Sequence, residues 1–446
     1  MALEESKSEK YYYYRILIMA KKIDPSVKHP DYSELERKYD LTEDAFEGDV
    51  CDFVPQLVNQ SKKEYEAYVS RAAYFNMVEK TVTAVCGALT RKPYVLNGYS
   101  EFPLNEYGDG TTFLQAMYRD LLIGARVSIL VDVDESGASK LVPYDADDII
   151  NWYGDGTKPG DFVMIEQEDL VQNPDNPYEQ IEVESWRELY IDEMGFYAVR
   201  IWRKQGKGQF YAEELEPMLV NGGRISYIPL FVVTPYDTTW EVYNPPLFTQ
   251  ASLNIQHFRQ ATDLAHYAHF MALPTFTITG DLYTYTDDQG NQTQAQIKMG
   301  STQEALHLTQ GSTASYTEVS GASFSMLQNE MKNTEERIYI AGSRLLSSKK
   351  GIESAEALQL RSGSESAVLD TMVHSMSSSL NAALELCGMI DNVPGAMIEL
   401  NKDFTAATMD PTSTKALLEL YTAGTITLEQ LLSELYAGEV VAPPAQ

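Results

Sequence analysis

The apolar positions between Leu345 and Ile390 organise the reading of the chain. Leu369, Met376, Ala383 and Ile390 recur at seven-residue intervals, with Met372 or Val373, Leu380 and Cys387 between them. That spacing makes one face of a continuous helix apolar and predicts a second helix packed against it. Ile352, Ala355 and Leu358 begin a similar stripe upstream, but Arg361-Ser362-Gly363-Ser364 interrupts it. A glycine inside a helix costs roughly 1 kcal/mol against alanine. Two readings stand: one helix kinked at Ser362, Gly363 and Ser364, or two helices separated by a turn. A polar loop, Leu346-Ser347-Ser348-Lys349-Lys350-Gly351, precedes the run.

Elsewhere the pattern alternates between helix and strand. Residues 1–66 are rich in tyrosine and charge, with turn signals at Asp24-Pro25 and His29-Pro30, and predict short helices and loops. From Tyr68 to Leu89 an apolar face through Tyr74, Met77, Val78, Thr81, Val82, Val85 and Leu89 predicts one helix, ended by Lys92-Pro93. Thr111 or Thr112 caps a helix through Phe113, Met117 and Leu121; Gly124 breaks it, and Ala125 to Val133 reads as a strand. Phe162 to Ile165, Ile181 to Tyr190, Phe196 to Trp202 and Ile228 to Val233 predict a sheet of antiparallel hairpins, with Trp152, Trp186 and Trp202 packed on it. Asn244-Pro245-Pro246 opens a helix to about Ala272 with two apolar faces, Leu247, Ala251, Ile255, Phe258 and Ala265 on one, Leu253, Leu264, Tyr267 and Met271 on the other. Thr275 to Thr279 and Ala305 to Thr309 are strand-like, around a polar insert at Asp287-Asp288-Gln289-Gly290-Asn291-Gln292. Helical pattern returns from Phe324 to Leu346, and two short helices follow in the tail, signalled by Asp410-Pro411 and Thr427.

Composition narrows the classes. At 446 residues with 44% apolar content, the chain can bury several cores and is not a disordered polymer. A net charge of −31 argues against a basic footprint that grips nucleic-acid phosphates. It suits either simple solubility or a surface that DNA passes without sticking. Cys51, Cys86 and Cys387 form no metal spacing and fit a reducing compartment. Glu4, Glu5 and Glu9 precede a short apolar run where a signal peptide needs a basic start, and no stretch reaches a membrane span. The expectation is a soluble protein, intracellular when made, with no membrane partner.

The chemical motifs point away from catalysis. There is no GxxxxGK[ST] phosphate loop, no HExxH, no GxSxG and no glycine-rich dinucleotide fingerprint. Asp132, Asp134, Ser136 and Gly137 mimic the start of a calcium loop, but Pro143 stands where the bidentate glutamate belongs, so they read as a turn between strands. Asp263, His266 and His269 share one side of a helix without a further ligand in view, and a polar helix edge is the simpler reading. No enzyme activity, metal or cofactor is expected.

In their order along the chain, several stretches resemble the portal proteins, or head-to-tail connectors, of tailed bacteriophages. They are Ser70-Arg71-Ala72-Ala73-Tyr74-Phe75-Asn76, Pro143-Tyr144 through Asn151-Trp152, Ile228-Pro229-Leu230 leading to Pro245-Pro246-Leu247, and Leu253-Asn254-Ile255. Gly342-Ser343-Arg344-Leu345-Leu346, Glu353-Ser354-Ala355-Glu356-Ala357 and Glu399-Leu400-Asn401-Lys402-Asp403-Phe404 complete the set. The resemblance spans about residues 65 to 440. It implies an α+β subunit: an N-terminal segment and α/β wing over 1–245, stem helices at 246–272 and 322–345, and a small α/β clip at 273–321. A tunnel loop and kinked wing helix would occupy 346–394, and a short helical crown with the C-terminal tail 395–446. It further implies a homo-oligomer of twelve subunits at one capsid vertex, assembled in the host cytoplasm, through which double-stranded DNA is packaged and ejected.

By the same resemblance, Ser347, Ser348, Lys349, Lys350 and Gly351 would face the DNA channel. Asp287, Asp288, Gln289, Gly290 and Asn291 in the clip would meet the terminase large subunit and later adaptor or head-completion proteins, while the wing meets major capsid and scaffold proteins. The rival readings are a nucleic-acid-processing enzyme with a dispersed acidic metal site and a non-viral scaffold protein.

Overall fold

A computed structural model describes residues 23–104, 109–134, 136–154, 160–173, 176–204, 209–216, 218–271, 275–280, 284–286, 289–290, 292–294, 309–317, 321–343, 355–404 and 411–437. These group into two units, one built from stretches within 1–47, 77–252 and 340–446, the other from 48–76 and 253–339.

The chain opens with α1 (Tyr32–Glu47), whose Leu35, Tyr39, Thr42 and Ala45 are buried at helical spacing. At 16 residues it is longer than the short helices expected, because its charged outer face masks the stripe. Next comes α2 (Lys62–Val69), started by a reciprocal cap: Ser61 Oγ accepts the Glu64 N–H at 3.4 Å and Glu64 Oε2 accepts the Ser61 N–H at 2.8 Å. The single helix expected over 68–89 is in fact the end of α2, a bend, and α3 (Met77–Leu89). Tyr74 lies in the bend; it continues the apolar period because it too packs inward, its ring edge-on to Phe258 at 5.7 Å.

After β1 (Val95–Asn97), α4 (Gly110–Gly124) is capped by Asp109 rather than by either threonine. Its carboxylate accepts the Thr112 N–H at 2.7 Å. The helix ends as expected at Gly124, with Ala125 in the left-handed region at φ 58°. A hairpin of β2 (Val127–Val133) and β3 (Ser139–Tyr144) follows. Of the calcium-like residues, Asp132 lies in β2 and the others form the turn: Asp134 Oδ1 accepts the N–H groups of Ser136 at 2.8 Å and Ala138 at 3.0 Å, and Gly137 takes φ +84°.

The strands β4 (Ile149–Trp152), β5 (Phe162–Asn173), β6 (Asn176–Ile191), β7 (Tyr197–Lys204) and β8 (Phe210–Glu214) form one antiparallel meander in sequence order. Trp152, Trp186 and Trp202 are buried in it, as predicted. Buried Glu188 holds Arg200 through two bonds, at 2.7 and 2.9 Å, and accepts Trp202 Nε1 at 2.6 Å. A short pair, β9 (Leu219–Val220) and β10 (Gly223–Arg224), leads to β11 (Leu230–Val233). β11 does not join the meander as expected; it pairs with β2 in a separate sheet ordered β11-β2-β3. Apolar runs identify strands, but only long-range pairing chooses the sheet.

The helix α5 (Phe248–Met271) buries Ala251, Ile255 and Phe258 and leaves Leu253, Leu264, Tyr267 and Met271 partly covered, which matches its two predicted faces. β12 (Thr275–Thr279), the hairpin of β13 (Thr284–Thr286) with β14 (Gln292–Gln294), and β15 (Thr313–Thr317) precede α6 (Gly321–Ser343). β12 pairs with β15; that strand was not read from sequence, and most of the expected strand at 305–309 lies outside the described residues.

Then α7 (Ala355–Asp391), β16 (Met397–Glu399), α8 (Pro411–Thr422) and α9 (Leu428–Ala437) complete the chain. Thr427 caps α9 as expected: its N–H meets Gln430 Oε1 at 2.9 Å, and its hydroxyl accepts the Gln430 N–H at 3.2 Å. The fold class is α+β, mixing helices and antiparallel sheets.

Candidate functional site

The long helix α7 carries the predicted stripe. Leu369, Met372, Val373, Met376, Leu380, Ala383 and Cys387 are all buried. Their partner is a sheet, not the helix expected: α7 lies on β11, β2 and β3 and against β16. Periodicity shows which face is covered, not what covers it. Polar bonds fix the packing. Ser379 Oγ donates to the Val232 carbonyl at 2.6 Å, and Ser375 Oγ to the carbonyl of Asp237. At the C-terminal end, Asp391 accepts from the Ser139 N–H at 2.9 Å, the Ser139 hydroxyl at 2.5 Å and the Tyr99 hydroxyl at 2.8 Å. Burial pushes the Cys387 thiol, on this face, up to about 12, so it packs as a small apolar group.

Helical backbone runs unbroken through Ser362, Gly363 and Ser364, which removes the two-helix reading. Ser347, Ser348, Lys349, Lys350 and Gly351, expected to face a channel, lie outside the described residues, as do Asp287, Asp288 and Asn291 of the set expected to meet partners. Gln289 and Gly290 occupy the turn between β13 and β14, with Gly290 at φ +85°.

In the second unit, residues of α5 meet those of α2 and the bend. The Tyr68 hydroxyl donates to Asp263, Arg71 Nη1 lies 3.3 Å from His266 Nδ1, and the Tyr68 ring meets His266 edge-on at 4.9 Å. Burial and then the Arg71 charge hold the His266 imidazole below its ordinary value. Asp263 and His266 thus serve a polar helix edge. Among the described residues no group of three or more His, Cys, Asp or Glu has metal-holding geometry. His257 Nε2 is 3.2 Å from Glu335 Oε1, linking α5 to α6.

Sequence reading missed a half-buried acidic cluster in the first unit. Its members come from α4 (Asp120), the β3–β4 connection (Asp145, Asp147, Asp148) and α1 (Glu43). Arg119 Nε bonds Asp120 Oδ1 at 2.7 Å, and the Asp120 carboxyl meets that of Asp145. Two carboxyls in contact need a proton between them. Burial, then the charge of Asp120, pushes Asp145 well above its ordinary value. Asp147 is pushed up to about 7 by burial and then by Asp148, and burial pushes Asp148 up to about 6.

Arg126 is fully buried nearby. Its Nη2 donates to the carbonyls of Ala146 at 3.1 Å and Ile149 at 3.4 Å, and its guanidinium lies 4.4 Å from the Trp152 ring centre. The Asp145-Ala146-Asp147-Asp148 run is visible in the sequence, but as solvated turn chemistry; only the fold buries it.

A family model described as a domain of unknown function, DUF4055, matches residues 246–389, which run from the start of α5 to near the end of α7. No curated protein matches the chain. Solved structures similar to it include the neck of a native gene transfer agent particle computed with C12 symmetry, at 12% identity and TM-score 0.43, covering 94% of this chain and 98% of that one. The virion of a native gene transfer agent particle matches at 12% identity and TM-score 0.43, with 87% and 96% covered. An HK97-family phage portal protein from Corynebacterium diphtheriae matches at 13% identity and TM-score 0.30, with 77% and 95% covered. At these values the likeness assigns no role to any residue of this chain.

Proposed function

We propose that this chain is a portal subunit, one of a closed ring at a single capsid vertex through which double-stranded DNA enters and leaves. The observation that carries the reading is the order of elements over 248–391: a long helix, a β-containing insert, a second long helix, a short connection, and a 37-residue helix. That is the order which the resemblance in sequence implies for stem, clip, stem, tunnel loop and wing helix. In this reading α5 and α6 are the stem, 273–321 the clip, 346–351 the tunnel loop and 395–446 the crown. Ser362, Gly363 and Ser364 are where the wing helix bends.

The chain acts without chemistry of its own. Twelve copies at −31 each give DNA few places to adhere, while Lys349 and Lys350 touch phosphates briefly as point charges. A separate terminase supplies the work by docking on the clip, adaptor proteins later occupy that end, and the wing meets capsid and scaffold protein. The subunits assemble in the host cytoplasm and remain in the virion. Electron microscopy and native mass spectrometry of the purified protein test this. A closed ring with an axial channel is expected; a strictly monomeric protein under assembly conditions overturns it.

A further inference from the structure

One arginine of the first unit is buried without a carboxylate beside it. Arg126, just before β2, and Trp240, in the segment between β11 and α5, are each 2% exposed. The Arg126 guanidinium lies 4.4 Å from the Trp152 ring centre and 5.7 Å from that of Trp240. Its Nη2 donates to the carbonyls of Ala146 and Ile149, but Nε and Nη1 find no acceptor among the described residues. Neither does the indole Nε1 of Trp240. Three N–H donors and a full positive charge thus share one enclosed, largely aromatic neighbourhood.

Other arginines set the comparison. Arg187 and Arg224 also leave Nε without an acceptor, yet Arg187 bonds Asp132 at 2.6 Å and Arg224 bonds Asp192 at 2.8 Å. Arg126 has no such ion pair among the described residues, and the acids whose charge reaches it are Tyr32 and Asp147. Tyr32 commits its hydroxyl to the Asp147 carbonyl at 2.8 Å. The Asp147 carboxyl, pushed up to about 7, answers the guanidinium only in part near neutrality. A buried charge without its counter-charge is strongly destabilising. Water would satisfy the donors and leave the charge, whereas an anion satisfies both.

We propose that Arg126 and Trp240 bind a small monovalent anion of halide size, held by Arg126 Nε and Nη1 and by Trp240 Nε1. Enclosure between indole rings rejects phosphate-sized, multivalent ions and favours a weakly hydrated one, which gives up less solvation on entry. The position gives the anion a structural role. His29 stacks on Trp152 at 4.0 Å and its N–H donates to the Ile150 carbonyl at 2.8 Å, while Asn151 Nδ2 donates to the Val27 carbonyl at 2.8 Å. The anion therefore sits where the segment before α1 joins β4, and its binding stabilises that joint.

The test follows urea unfolding of the full-length protein as sodium chloride or sodium bromide replaces sodium gluconate at one ionic strength, gluconate being too large for the site. Crystals soaked in bromide and measured at the bromine absorption edge locate the ion. Two variants accompany the wild type. Trp240→Phe keeps a ring and removes one donor; Asp147→Asn removes the competing negative charge.

The wild-type midpoint is expected to rise saturably with either halide, with an anomalous peak beside Arg126 and Trp240. Trp240→Phe should need roughly tenfold more halide for the same rise, and Asp147→Asn should respond at least as strongly as the wild type. The wild-type series and the peak decide the matter if Trp240→Phe does not fold. A midpoint that follows ionic strength alone, no bromine peak at this place, or an unchanged halide response in Trp240→Phe overturns the proposal. So does a response lost in Asp147→Asn, because the halide then acts through that carboxyl and not through the donors.

Discussion

Asn381 of α7 grips the backbone of Ile398 from both sides: its Oδ1 accepts the Ile398 N–H at 2.8 Å and its Nδ2 donates to the Ile398 carbonyl at 3.1 Å. Ile398 is central in β16, opposite Leu96 of β1, so one side chain ties the long helix to a two-stranded sheet made from distant parts of the chain. Asn381→Ala leaves both backbone groups without this partner. A loss of about 2 to 3 kcal/mol is expected, read as a lower urea midpoint and faster exchange at the Ile398 amide. An unchanged midpoint would show that water replaces the side chain at no cost.

The acidic cluster predicts a pH dependence with a definite sign. Asp147 rises from 3.8 to about 7 on folding, so the folded state holds its proton more tightly than the unfolded chain does. Its contribution is therefore fully present below about pH 4, is lost as pH climbs toward 7, and stays lost above that. Asp145 and Asp148 shift the same way. Asp147→Asn should match the wild type near pH 4 and exceed it at pH 8 by on the order of 2 kcal/mol, measured as denaturant midpoints across pH. A variant less stable by the same amount at both pH values contradicts the assignment.

Gly110 at the start of α4 has no room for a side chain. A Cβ there meets the Phe102 ring and the Tyr94 hydroxyl well inside contact distance. Gly110→Ala should cost about 1 to 3 kcal/mol through overpacking, seen as a lower melting temperature, whereas Gly137→Asn in the open β2–β3 turn meets no neighbouring atom and should lower it less, only by the backbone strain of a side chain at φ +84°. Equal effects at the two sites would mean that the Phe102 pocket yields freely.

The portal reading proposes that Lys349 and Lys350 meet the DNA. Replacing both with alanine should leave ring assembly intact and alter DNA packaging or retention, measured as genome content per particle. Unchanged genome content and infectivity would contradict the proposed role of the pair.

The sequence by itself determined most of the helices and strands, because a buried face repeats every three to four residues on a helix and every two on a strand. The stripe on α7, the buried tryptophans and the two long helices around a β insert were legible in this way. So was the Asp134 turn, whose chemistry is local. Tertiary structure decided what local pattern cannot encode. The α7 stripe meets a sheet, β11 leaves the meander to pair with β2, and the apolar period across Ser70–Asn76 hides a chain bend because Tyr74 is also turned inward. The aspartates at 145, 147 and 148 become a proton-holding cluster only when α1 and α4 close over them. Burial is a property of neighbours far along the chain, and it separates these carboxyls from ordinary turn residues of the same spelling.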